Sequence, residues 1–313
     1  MDPSPKPSVQ LIVDASGEGK RADQFISERF RITRSKIKRG IEAHTILLND
    51  KPLKPATHLR KKDQVTINWP YASSPGVTGG SRMLPEDIPL EIIYEDDDLF
   101  AVNKEAKFVT HPAPGHPNQT MMNAILHYHP GACITHRLDK GTSGVLLVAK
   151  NEWTLEKIQT QFKNRQIKKT YQALVWGKFK LLHGSFKTVI GRSLHDRKKM
   201  SSQTQKGREA HTDYRVLEEL GPITFVEAYP KTGRTHQIRV HFKESHHPLV
   251  GDPVYGPRGD LPYVIEDFPH QALHAYQLEL THPRTKERLI IVAPLRQDMR
   301  ELLNKLRLSL RGL

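Results

Sequence analysis

A single cysteine, Cys133, stands among 313 residues, so the chain closes no internal disulfide and builds no cysteine-ligated zinc site. Its small apolar neighbours point to a buried thiol rather than a nucleophile. Long apolar runs are missing as well. Stretches such as Val145 to Ala149 and Leu289 to Ala293 fall far short of the ~20 residues that a membrane helix needs. No charged segment followed by a greasy one opens the chain, as a secretory signal would. There is no Gly-x-x-x-x-Gly-Lys-Ser/Thr loop to cradle a nucleotide and no His-Glu-x-x-His pair. The 17 histidines include His127 with His129 and His246 with His247, yet no third ligand follows at a diagnostic spacing. These absences lead us to expect a reduced, cytoplasmic protein with no membrane segment, no metal and no nucleotide cofactor. A monomer is the default expectation.

Acids are scarce relative to bases. Against 48 Lys and Arg there are 34 Asp and Glu, a formal charge of +14. Such an excess points to a polyanionic partner, most often nucleic acid. It is also uneven: positions 17–70 carry 13 Lys/Arg against six Asp/Glu, half the net charge in 54 residues. After Trp69 comes a Gly/Ser/Pro stretch of flexible-linker type. The length suits two domains, and we expect them at 17–70 and 86–310, joined by a linker at 71–85.

The basic segment reads as two helices followed by short strands. Ala22, Phe25, Ile26 and Phe30 recur at helical spacing, and Thr33 or Ser35 can cap a second helix that carries Arg34, Lys36, Lys38 and Arg39. Those four are the candidate RNA-binding residues. A solvated helix face is the ordinary alternative, but clustering in one small unit favours phosphate contacts. Leu11 to Ala22 also superficially matches a dinucleotide fingerprint. That motif needs a βαβ unit with an acid ~20 residues on; a second helix occupies the place, and the match is rejected.

The longer segment reads as runs of strands with a few helices between them. Strands are expected at Leu90 to Tyr94, Leu99 to Asn103, Gly144 to Lys150, Tyr171 to Val175, Ser185 to Ile190, His211 to Leu217, Ile223 to Tyr229 and Leu289 to Val292. Helices are expected after an Asn151 cap, from about Thr235, and at Gln297 to Leu310. That pattern argues for an α+β fold on a mixed or antiparallel sheet.

Three local sequences can carry chemistry. Ile134-Thr-His136-Arg137-Leu-Asp139-Lys-Gly-Thr-Ser-Gly144 sets an acid in a glycine-bounded loop at the head of a strand. Neighbouring cations favour its ionised form, which a nucleophile or base requires. A turn in which Asp139 bonds its own backbone is the plain alternative. Lys231-Thr-Gly233-Arg234-Thr235-His236-Gln-Ile-Arg239-Val-His241 opens a helix whose Ile238 and Phe242 face the core, leaving Arg239 to grip a carboxylate or phosphate. Lys168-Lys169-Thr-Tyr171 places an aromatic beside a basic patch, where a splayed base can stack.

Together these sequences resemble the RluA/RluD family of RNA pseudouridine synthases. The resemblance runs through His136-Arg-Leu-Asp139, Lys169-Thr-Tyr171-Gln-Ala, Thr232-Gly-Arg-Thr-His-Gln-Ile-Arg239 and Pro248-Leu-Val-Gly-Asp-Pro-Val-Tyr-Gly256. It covers about positions 20–305, and the basic segment resembles an S-four-type RNA-binding domain. The resemblance implies base flipping and isomerisation of uridine in RNA, ribosomal RNA first, without a cofactor. It implies catalysis by Asp139 on the ribose or the base. Tyr171 would stack on the uracil and assist proton transfer, and Arg239 would pair with Asp139. Arg137 would prise out or replace the uridine, with His136, Arg234 and His236 also binding substrate. Gly141 departs from the pattern, which usually has an acid there. A non-catalytic RNA-binding or ribosome-assembly protein on the same fold is the alternative; an intact Asp139, Tyr171, Arg239 set argues against it.

Overall fold

The computed structural model describes residues 8–30, 34–42, 44–68, 84–113, 115–194, 196, 199–204, 206–257, 265 and 268–310. Its first unit comprises β1 (Ser8–Ile12), α1 (Ala22–Phe30), α2 (Arg34–Glu42), β2 (Ile46–Leu48), β3 (Lys51–Pro52) and β4 (Gln64–Asn68). The strands form an antiparallel sheet in the order β1-β4-β2-β3. Phe25 and Ile26 of α1 and Ile37 and Ile41 of α2 bury against Ile46, Val65 and Ile67, which gives the unit a core of its own. β1 pairs antiparallel with β4, so no parallel βαβ unit forms here. It also lies ahead of position 17, where the sequence reading begins this unit. Of the two expected caps, Thr33 lies outside the described residues and Ser35 falls inside α2. The expected linker lies outside the described residues up to position 83.

The second unit comprises β5 (Ile92–Glu95), β6 (Leu99–Lys104), α3 (Met121–Tyr128), β7 (Cys133–Ile134), β8 (Ser143–Ala149), α4 (Glu152–Lys163) and β9 (Lys168–Trp176). It continues with β10 (His183–Arg192), β11 (Met200–Ser201), β12 (Arg208–Leu220), β13 (Ile223–Pro230), α5 (Gln237–Glu244), β14 (Leu273–Thr281), β15 (Arg288–Val292) and α6 (Gln297–Leu310). One mixed sheet runs β11-β10-β12-β13-β9-β14-β8-β6-β5, with β15 on β14 and β7 on β8. This is the expected α+β architecture. β8 is buried along its whole length because both faces are covered. Leu146 and Val148 enter one core with Phe100 and Met122, while Val145 and Leu147 enter another with Ile158 and Ile291.

β14, which the sequence reading did not find, is the hinge of the architecture. It pairs parallel with β8 at His274 and Ala275 and antiparallel with β9 and β15. A register shift between Ala275 and Gln277 breaks its alternation of inward and outward residues, and that alternation is the signal a strand offers in sequence. At the β8–β14 junction Gly144 has φ +106°, and an added Cβ would lie 2.2 Å from the Ala275 carbonyl oxygen. Only glycine fits there. Cys133, expected buried, is half-buried on β7.

Candidate active site

The loop between β7 and β8 carries Asp139 and is pinned on both sides. Thr110 Oγ1 donates to the Leu138 carbonyl at 2.6 Å, and Gly141 N–H donates to the Ala106 carbonyl at 2.8 Å. Gln271 Nε2 donates to the Lys140 carbonyl at 2.8 Å. The Gln271 side chain also explains the departure at Gly141, where φ is +85° and a Cβ would meet Gln271 Oε1 at 2.4 Å. Lys104, fully buried, donates through Nζ to the carbonyls of Glu105 and Thr142 at 2.9 and 2.8 Å. Burial drags its ammonium down to about 7, against the pull of Asp139 and Glu105. Between these anchors the Asp139 side chain remains 20% exposed.

Arg239 comes to Asp139 from α5, but its main partner is another acid. Its Nε and Nη2 grip Asp252 bidentately at 2.7 and 2.8 Å, and Nη1 reaches Asp139 Oδ2 at 3.5 Å. The expected Arg239–Asp139 pair is therefore present as the weaker half of a shared guanidinium. The Asp252 side chain has no exposed surface. Burial works against its charged form, yet Arg239 and the N–H groups of Val254 and Tyr255 hold its carboxyl below the usual range. Sequence reasoning placed Asp252 in the Gly251-Asp-Pro-Val-Tyr stretch but gave it no role; an acid beside Pro and Gly offers no local sign of a partner 13 residues away.

α5 itself departs from the reading. It begins at Gln237 rather than about Thr235, and His236 holds the cap position in the left-handed conformation, φ +56°, with no side-chain cap bond. Gln237 Oε1 instead accepts from Arg234 N–H and Thr232 Oγ1, while its Nε2 donates to the His211 carbonyl and Thr212 Oγ1. Ile238 and Phe242 face the core as expected.

Tyr171, on β9 opposite Ala228 of β13 and Ala275 of β14, turns its half-buried ring toward the same place. Burial, and then the charge of Asp139, push its hydroxyl well above the ordinary value, so the phenol stays protonated. His236 Nε2 lies 3.9 Å from Asp139 Oδ2, and its Nδ1 bonds the Tyr255 hydroxyl at 2.9 Å. His136 is less available than expected. Its Nε2 accepts the Leu147 N–H at 3.1 Å, and burial followed by Lys169 drives it down to about 3, a neutral ring packed on Phe162.

Two cavities meet at Asp139. One, about 610 Å³, is lined by Tyr171, Lys169, Arg234 and His136; the other, about 660 Å³, by His111, Lys140 and His270. Asp139, Arg137, His236 and Arg239 line both. All seven catalytic and substrate-binding candidates thus converge. Of the RNA-binding candidates, Arg34 and Lys38 are exposed on α2 and line neither cavity; the side chains of Lys36 and Arg39 lie outside the described residues. Among the described residues no three His, Cys, Asp or Glu side chains gather as metal ligands, and no helix is long and apolar enough to cross a membrane.

A carboxylate, a protonated phenol and a ring of cations at one cleft define an enzyme that works on a polyanion. Comparison with known proteins makes this specific. The model of the RNA pseudouridylate synthase family matches residues 98–244. An RNA pseudouridine synthase of Chlorobaculum parvum is 40% identical over 92% of this chain and 94% of its own. The RNA pseudouridine synthase YlyB of Bacillus subtilis is 38% identical over 95% of this chain and 98% of its own. Ribosomal large subunit pseudouridine synthase D of Escherichia coli is 37% identical over 96% and 95%. Among solved structures, human RNA pseudouridylate synthase domain containing 1 is similar with TM-score 0.56 at 29% identity, covering 74% of this chain and 98% of that one. Human RNA pseudouridylate synthase domain containing 4 gives 0.58 at 25%, covering 69% and 92%. The chain belongs to the RNA pseudouridine synthases of the RluA/RluD type and isomerises uridine in RNA to pseudouridine.

Proposed function

We propose that the substrate is ribosomal RNA, with large-subunit RNA the first to test, and that the chain acts in the cytoplasm as a monomer without metal or organic cofactor. The name of the Escherichia coli relative supports the choice of RNA. The observation that carries the chemistry is the place of Asp139, between two cavities and beside the neutral Tyr171. Base flipping brings the uridine out of its stack to reach that carboxylate. Asp139 attacks the nucleotide at the ribose or the base. The N-glycosidic bond breaks, the uracil turns and rejoins the ribose through carbon, and the bond to Asp139 breaks to release the carboxylate. That carbon gives up its proton and the freed ring nitrogen takes one, so composition is unchanged.

Tyr171 stacks on the uracil and, kept protonated, serves as a hydrogen donor. Arg239 aims Asp139; Arg137, Arg234, His236 and His136 line the space around the nucleotide. The first unit, expected at 17–70 and extended by β1, is read as an S-four-type RNA-binding domain that uses Arg34, Lys36, Lys38 and Arg39; the catalytic domain is 86–310. Mapping pseudouridines in ribosomal RNA from cells with and without the protein tests the substrate, since an unchanged map removes it. Asp139→Asn tests the chemistry. Asp252 still holds Arg239, so no buried cation is orphaned and the variant folds and binds RNA. Turnover falls by ~10³-fold or more, and turnover at the normal rate would exclude Asp139.

A further inference from the structure

The cavity that holds Tyr171 is lined by eight Lys and Arg side chains and one acid, Asp139. Two of the cations have carboxylates of their own: Arg239 pairs with Asp252, and Lys231 with Asp213 at 3.2 Å. Arg165, Lys169, Arg208 and Arg234 have none within ion-pair reach among the described residues. They come from four places in the fold: the turn after α4, β9, the start of β12 and the loop before α5. Arg165 reaches its place through a left-handed backbone, φ +58°.

The cluster is anchored but unsatisfied. Arg234 Nε donates to the Glu209 carbonyl at 2.9 Å, which fixes the guanidinium and leaves its two terminal nitrogens for a ligand. Lys169 Nζ donates to the Thr232 carbonyl at 3.1 Å, one of three bonds an ammonium can make. The four also oppose one another. Burial and then the charges of Arg208 and Arg165 lower Arg234, while burial and then Arg234 and Lys231 bring Lys169 down to about 8. Like charges held together in a half-closed space destabilise the empty protein, and an anion relieves that strain. A planar guanidinium fork suits a phosphate in particular. A uridine with its base at Asp139 and Tyr171 carries its phosphodiester into this same cavity.

We propose that Arg165, Lys169, Arg208 and Arg234 form a phosphodiester-binding subsite that holds the backbone of the target nucleotide while its base lies at Asp139. The proposal rests on the reading that this cavity receives the uridine. It adds the group that fixes the nucleotide against sliding and rotation, which no base contact supplies.

The test uses the full chain and a fluorescein-labelled nine-nucleotide RNA with one central uridine. In two further RNAs the phosphodiester on the 5′ or the 3′ side of that uridine is an uncharged methylphosphonate. With the normal protein, one of the two neutral linkages weakens binding by ~10-fold at 0.1 M salt. In Lys169→Met/Arg234→Met the charged RNA binds more weakly, and the neutral linkage costs clearly less than in the normal protein, because two of the four cations that faced it are gone. Each phosphate no longer gripped lowers the slope of log affinity against log salt by about 0.7. Arg208→Gln, an exposed position, reports the same cycle if the double variant fails to fold.

Lys169→Arg separates charge from shape. Arg234 and Lys231 face Lys169 from the loop before α5, and His136 faces it from the β7–β8 loop as a neutral ring. Affinity of the normal protein falls between pH 7 and 9 as the ammonium deprotonates, whereas Lys169→Arg stays level. A neutral linkage that costs the same in normal and altered proteins overturns the subsite, as does one that costs nothing in either. Binding is read here, not turnover, so failure of Asp139 as the catalytic group would show separately in the Asp139→Asn measurement.

Discussion

One guanidinium serves two carboxylates at the centre of this site. Arg239 satisfies Asp252 through two short bonds and reaches Asp139 with a third nitrogen at 3.5 Å. The Asp139 carboxylate is therefore less engaged than a bidentate partner would leave it, while its direction is still set. Asp252 is the residue that maintains this division. Asp252→Asn frees the guanidinium to close on Asp139, which draws the carboxylate out of the cavity. A misplacement of ~1 Å can lower a rate by ~100-fold, so kcat falls by ~10–100-fold with KM changed little. Loss of a buried charge partner also costs about 3 kcal/mol of stability, readable as a lower urea midpoint. A variant with normal kcat, or one in which KM rises and kcat holds, would show that Asp252 only supports the fold. Sequence spacing brought Asp139, Tyr171, Arg234 and Arg239 together through a resemblance. It could not say which acid Arg239 prefers, because that is settled by burial: Asp252 has no exposed surface and Asp139 has a fifth.

The elements differ in how much of themselves they write into the sequence. β8 and α6 are legible because apolar residues carry them: a continuous apolar run buried on two faces, and Met299, Leu302, Leu303 and Leu306 at helical spacing. α5 is not. Six of its eight residues are buried, Gln237, Arg239 and His241 among them, and each finds its partners far along the chain. His241, for example, bonds Thr212 at 2.9 Å and Thr188 at 3.0 Å. A polar helix satisfied from inside looks, in sequence, like a polar helix satisfied by water. β14 hides for a different reason, its broken register, and the fold turns on it. The contact between Gly144 and the Ala275 carbonyl is the tightest test of that junction. Gly144→Ala adds a methyl group against backbone and forces a non-glycine residue to φ +106°; overpacking and strain together cost about 3–5 kcal/mol. Because the strained position lies five residues after Asp139, turnover should fall with the urea midpoint. An unaltered midpoint would mean that β8 and β14 separate without cost.

At the scale of the whole molecule, charge and burial are distributed between two independent cores. The core of the first unit uses only residues from Leu11 to Ile67, and the remaining clusters begin at Leu90. Deleting positions 1–70 should leave the large sheet folded. It removes +6 of charge, weakens RNA binding and flattens its salt dependence by about 0.7–0.9 for each phosphate released from the protein; an unchanged slope would place the RNA anchor elsewhere. The second unit has its own dependence on pH, and histidines set it. Burial pushes His136 down to about 3 and His241 and His274 down to about 4, with charged neighbours acting second or, for His274, a bond to the Ala293 carbonyl opposing the shift. All three are neutral in the fold. In the unfolded chain each takes a proton as pH drops below about 6.5, so the unfolded state binds more protons and stability declines as pH falls from there toward 4. Above about 6.5 both states are neutral and the histidines contribute no pH dependence. At pH 5 the cost is about 2 kcal/mol for each ring, and unfolding there takes up about three protons from these rings. His274→Gln should remove about one proton from that uptake, measured as the slope of the unfolding free energy against pH between 5 and 6. A slope that stays the same would show that His274 is already charged in the folded protein, and that its bonds to Ser143 and to the Ala293 carbonyl hold an imidazolium.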